Sequence, residues 1–83
     1  MNDTYFEILK ARFIMAASRV NDLANAKDVE RNRVNYGEAT AWATVLRDMG
    51  HATSTPVWKD DNGCLRIPFI EIGVFRMEFA DGK

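Results

Sequence analysis

The chain is poor in the side chains that most reaction chemistry needs. Its 83 residues include one cysteine, Cys64, and one histidine, His51. A single cysteine excludes a disulfide within the chain, and these counts exclude the Cys/His ligand sets of structural zinc sites. Two prolines and five glycines are too few for a low-complexity or collagen-like chain. No apolar run approaches the roughly 20 residues of a membrane-spanning helix. The first dozen residues lack the basic and apolar regions of a secretory signal, so with its lone thiol the chain is expected in the cytoplasm.

A surplus of either charge is also missing. Eleven basic residues stand against twelve acidic ones, for a net charge of -1. The balance is local: residues 1–26 and 27–50 are each neutral, and residues 51–83 carry the single excess acid. Nucleic-acid affinity rests mainly on neutralising phosphates, so a chain without a basic stripe is a poor candidate for it. The alternative that deserves naming is weak nucleic-acid binding through Lys27, Arg31 and Arg33, which Asp28 and Glu30 interrupt.

What the chain does have is apolar surface in regular patterns: 47% of residues are hydrophobic and 11% aromatic. At 100° per residue, Tyr5, Phe6, Leu9, Phe13, Ala16, Val20, Leu23 and Ala24 fall on one stripe. This predicts a first helix over about 4–25, with Thr4 as N-cap and Glu7 closing a capping box. Asn21 falls on the polar side. Three apolar residues exceed the stripe: Ile14 projects from the polar face, while Ile8 and Met15 lie beyond the stripe's edge. A second helix is predicted over about 28–49, with Asp28 as N-cap and Gly50 as the residue that ends it. A later start at Asn35 is the alternative. Val34, Ala39, Trp42, Val45, Leu46 and Met49 form its stripe. Gly37 inside it points either to close helix–helix approach or to that later boundary.

The period then changes from helical to alternating. Strands are expected over about 52–59, 64–70 and 74–80. Asp60–Gly63 forms a hairpin turn and Gly73 allows a second. Leu65, Ile67 and Phe69 face inward with Arg66 outward, and Phe75, Met77 and Phe79 face inward. Pro68 conflicts with a central strand because it has no N–H to donate, and the apolar parity slips after Phe69. A bulge near 68–70 resolves both; the alternative is that the strand ends there and Ile70, Glu71 and Ile72 belong to the turn. Residues 81–83 read as a frayed tail. The expected fold is α+β in one domain, an antiparallel two-helix hairpin packed on a three-stranded antiparallel β-meander, α-α-β-β-β.

No constellation of nucleophile, base and orienting group is legible. His51 follows the helix-ending glycine and suits the helix C-terminus. Cys64 lacks a specific cation to activate it, and Asp60 and Asp61 serve the turn. No catalytic, cofactor-binding or metal-binding residue is therefore expected. The aromatic alternation around Phe75–Phe79 is needed for the core, so it is not an RNA-stacking surface. One polar group stands out: Glu38 is expected to pair across the interhelical boundary with Arg19 or Arg12, at substantial cost to stability if the pair is semi-buried and broken.

The function these features suggest is that of a small non-enzymatic protein–protein interaction module. It is expected to self-associate as a homodimer or to bind another protein, in the style of a bacterial or mobile-element accessory protein. A domain this small, with neither disulfide nor metal, gains most from association. The candidate interface residues are Ile8, Ile14, Met15, Val29, Arg33 and Tyr36.

Overall fold

A computed structural model of the chain describes residues 3–22 and 27–83. Helix α1 spans Asp3–Val20 and helix α2 spans Val29–Asp48. Five short strands follow: β1 Thr53–Ser54, β2 Trp58–Lys59, β3 Leu65–Arg66, β4 Phe69–Ile72 and β5 Phe75–Glu78, then a 3-10 turn at Ala80–Gly82. The class is α+β, with helices first and an antiparallel sheet after them.

Helix α1 begins one residue before the expected cap Thr4 and ends earlier than the apolar stripe suggested. Asn21 and Asp22 donate to the carbonyls of Ser18 and Arg19, at 3.1 and 3.2 Å, so the chain leaves the helix by i→i+3 bonds. Leu23, Ala24 and the turn expected near residue 26 lie outside the described residues. Helix α2 takes its long form. Asp28 is its N-cap, and its carboxylate accepts from the Arg31 N–H at 3.0 Å. At the far end His51 N–H reaches Leu46 O and Gly50 N–H reaches Arg47 O, both at 2.9 Å. This is a Schellman closure, and Gly50 supplies its left-handed residue at φ 95°. Gly37 marks neither a boundary nor a close approach: the helix runs through it, and open space surrounds its missing Cβ.

The strands form two antiparallel sheets: β4 lies between β1 and β5, and β2 pairs separately with β3. The ladder of one sheet ends at Ser54↔Glu71 and that of the other at Trp58↔Arg66, so strand pairing is interrupted around Pro68. Pro68 needs no N–H there; it contributes its carbonyl, which accepts from Phe79 N–H at 2.9 Å. The interruption also resets which side chains face the helices. Ile67, Ile70 and Ile72 are buried, whereas Phe69 turns to the other face beneath the Arg76 guanidinium, 3.7 Å from its ring centroid. Phe75 packs on the core and Phe79 is buried, but Met77 on edge strand β5 stays 38% exposed.

Both helices cover one face of the strand layer. The core joins Leu9, Phe13, Ala16, Ala17 and Val20 of α1 to Ala39, Ala43 and Leu46 of α2 and to the three sheet isoleucines. Four of these are fully buried alanines, which let the two helices approach closely. Val34 and Met49, assigned to the apolar stripe of α2, are instead 67% and 42% exposed. With extents of 43 × 20 × 17 Å the molecule is two layers thick, and no described strand or helix covers the outer side of the helix pair. No described helix is long and apolar enough to cross a membrane.

Candidate functional site

The outer side of the helix pair carries a groove of about 360 Å³, lined by Ile8, Ala11, Arg12, Met15 and Arg19 of α1 and by Glu38 and Trp42 of α2. Helical spacing explains the α1 contribution. Positions 8, 11, 12, 15 and 19 recur at three- and four-residue intervals on one face, beside the face that enters the core. Ile8 and Met15 are 45% and 55% exposed. Trp42 packs one side against the core and lends the other to the groove. The walls thus alternate apolar side chains with charged ones, Arg12 near the middle and Arg19 with Glu38 toward one end.

Those polar groups are two guanidiniums and one carboxylate. Arg19 Nη1 donates to Glu38 Oε1 at 3.4 Å, with about half of each side chain in solvent. A pair that is long and half exposed contributes little to stability, so the energetic weight attached to a semi-buried pair does not apply. Arg12 lies over Trp42, 5.5 Å from its ring centroid, and makes no ion pair among the described residues.

The sequence candidates therefore divide. Ile8 and Met15 converge with Arg12, Arg19 and Glu38 in the groove. Ile14 and Tyr36 do not; both are half-buried against the core. Val29 and Arg33 belong to the hairpin loop: Val29 sits beside Gly63, and Arg33 Nη2 donates to Gly63 O at 3.3 Å. That bond occupies one of the three cations at the basic end, and Asp28 beside them caps the helix. Ala11 and Trp42 were missed as groove residues. The signal for Trp42 was present in its size, since an indole at a helix boundary stripe seldom buries all its faces.

A second polar cluster, absent from the sequence reading, is structural. Asn21, expected on the polar face of the first helix, is 2% exposed. Its amide donates to Ile67 O at 2.8 Å and accepts from Ile67 N–H at 2.7 Å. Asn32, 3% exposed, treats Leu65 the same way, at 3.0 and 2.7 Å, and also donates to Val20 O at 3.0 Å. The two side-chain amides thus stand where a neighbouring strand would, satisfying backbone groups two residues apart. Arg66, expected to point outward, is buried beside them. It donates to Asn21 O and to Asp60 Oδ2, both at 3.0 Å.

Burial alone would raise the Asp60 carboxyl's pKa. The N–H of Cys64, the Arg66 guanidinium and the N–H of Asn62 outweigh it and hold the group below its ordinary value. Residues 80–82 complete the corner instead of fraying. Trp58 Nε1 donates to Gly82 O at 2.7 Å, and a Cβ on Gly82 would fall 1.8 Å from Ile67 O.

Cys64 is fully buried, and His51 stacks on Phe6 with ring centroids 4.4 Å apart. No group of three or more His, Cys, Asp or Glu among the described residues is placed to hold a metal ion. Comparisons with protein-family models, curated proteins and solved structures find nothing that matches this chain.

Proposed function

We propose that this chain is a small non-enzymatic protein–protein interaction module that self-associates through the outer groove of its helix pair. The observation that carries the reading is the half-exposed pair Ile8 and Met15 beside Trp42, on a side with no third layer among the described residues. Covering such surface is favourable by roughly 25 cal/mol per Å² of apolar area. A second copy is the occupant that fits, because the groove holds an apolar strip together with charges of both signs, as an isologous contact requires. Asp60, Cys64 and His51 are committed to the turn, the core and a ring stack, which favours contact over catalysis as the chain's role. A single buried thiol suits a reducing cytoplasm.

Sedimentation velocity on the full chain, from micromolar to near-millimolar concentration, tests the reading. A monomer–dimer equilibrium is expected. Met15→Glu should weaken it at least tenfold while leaving the far-ultraviolet circular dichroism unchanged, because Met15 is outside the core. A chain that stays monomeric throughout, or a dimer indifferent to Met15→Glu, overturns it.

A further inference from the structure

We infer that two copies meet groove to groove in antiparallel fashion, so that Arg12 of each reaches Glu38 of the other. The inference rests on the self-association just proposed and adds the arrangement and the charges that set it.

Arg12 is the starting point. It is a permanent cation in an apolar groove, held only over the face of Trp42 and forming no ion pair among the described residues. The groove's one carboxylate, Glu38, spends Oε1 on a long 3.4 Å contact with Arg19 and has a second oxygen to offer. Within one copy these two groups stay apart. Arg12 lies over the Trp42 ring, and Glu38 bonds Arg19, about two helical turns further along α1.

A two-fold axis through the middle of the groove brings them together. On α1 the lining positions run from Ile8 to Arg19, so the middle falls between Arg12 and Met15. The rotation sets Ile8 of one copy level with Arg19 of the other, and Arg12 level with Met15. At 1.5 Å per residue, Arg12 of the second copy then stands about 6 Å short of the level of Arg19. An extended arginine side chain covers that distance, and Glu38 flanks Arg19 across the groove. Each Glu38 is then bridged by two guanidiniums, Arg19 of its own copy and Arg12 of the other. Ile8 and Met15 of both copies close over the two Trp42 rings.

Charge exchange tests this on the full chain. Arg12→Glu alone sets two carboxylates against each other across the axis, and Glu38→Arg alone sets two guanidiniums against each other. Each single variant should dimerise at least tenfold more weakly than wild type, by sedimentation at matched concentration. Mixed in equal amounts, the two should form a heterodimer near wild-type affinity, because every crossing contact is again between opposite charges. The double variant Arg12→Glu/Glu38→Arg should recover the homodimer. Both residues are exposed, so circular dichroism and melting at dilution should show both variants folded.

If wild type dimerises but the mixture does not recover, or if Arg12→Glu dimerises like wild type, the crossing contact is wrong and self-association stands. If wild type is monomeric, self-association itself fails and the crossing contact with it.

Discussion

Asp60–Arg66 and Arg19–Glu38 are both carboxylate–guanidinium pairs, set in opposite surroundings. The first is 3.0 Å long with side chains 14% and 7% exposed; the second is 3.4 Å long and about half exposed at each end. Around Asp60 and Arg66 every polar group is spoken for. Asp60 also accepts from the N–H groups of Asn62 and Cys64, Arg66 also donates to Asn21 O, and Asn21 and Asn32 hold the backbone of Ile67 and Leu65. No buried side-chain nitrogen or oxygen among the described residues is left without a partner. Around Arg19 and Glu38 there is apolar wall, solvent and an arginine with no acid. The corner where helices meet sheet is closed chemistry that specifies the fold. The outer groove has partners to spare, and its contacts can be exchanged for others at small cost.

The contrast can be broken most severely at Asn21. Asn21→Asp keeps the shape but replaces the donor to Ile67 O with an oxygen, and leaves a charge in a buried site. A loss of about 3 kcal/mol or more is expected, with a thermal midpoint more than 10 °C lower. A midpoint within 2 °C of wild type would mean the corner is not closed. Gly82→Ala comes next. The added methyl has no room against Ile67 O, so the last turn must move and release the Trp58 indole from Gly82 O. We expect about 1–3 kcal/mol of destabilisation, with a shifted Trp58 indole N–H resonance; an unmoved resonance would refute it.

Acid probes the same corner more gently. The Asp60 carboxyl is held below its ordinary value in the folded chain. It therefore adds stability above about pH 4, and that stability is lost as pH falls through the folded value. Asp60→Asn should unfold at lower denaturant than wild type at pH 7, with the gap narrowing by pH 3. A gap that is the same at both pH values would show that Asp60 does not act through its charge.

Away from the corner the expected changes are smaller, and one has the opposite sign. Gly37→Ala adds a methyl in open space within a continuous helix and should stabilise by about 0.5–1 kcal/mol in chemical denaturation. Glu38→Ala should cost no more than about 0.5 kcal/mol when melted at dilution, where the chain is monomeric. A loss several times larger would place this pair in the same class as Asp60–Arg66.

The sequence announces features whose cause is local. Asp28 caps a helix because its side chain meets an N–H three residues on, and Gly50 ends one because the closing residue is left-handed. The interruption at Pro68 was legible for the same reason, since a missing N–H and a slipped parity occupy one tripeptide. Its outcome for Phe69 and Met77 was not, because the resulting face depends on how far the helices reach across the sheet. Asn21 and Asn32 were illegible because the groups they satisfy lie 46 and 33 residues away. Their one trace was type: asparagine is a poor helix former, and both stand near helix ends. Five of the seven groove residues were visible, Ile8 and Met15 as surplus apolar residues and Arg12, Arg19 and Glu38 as an expected ion-pair group. Trp42 was hidden because a stripe assigns each residue to a single face.

The amides of Leu65 and Ile67 are tied to side chains of the helical layer and not to another strand. Hydrogen exchange at these two positions therefore gauges the docking of one layer on the other, separately from the integrity of the sheet. Asn32 also grips Val20 O, so one side-chain amide fastens the end of the first helix, the start of the second and the third strand at once. Those three segments must open as a single unit.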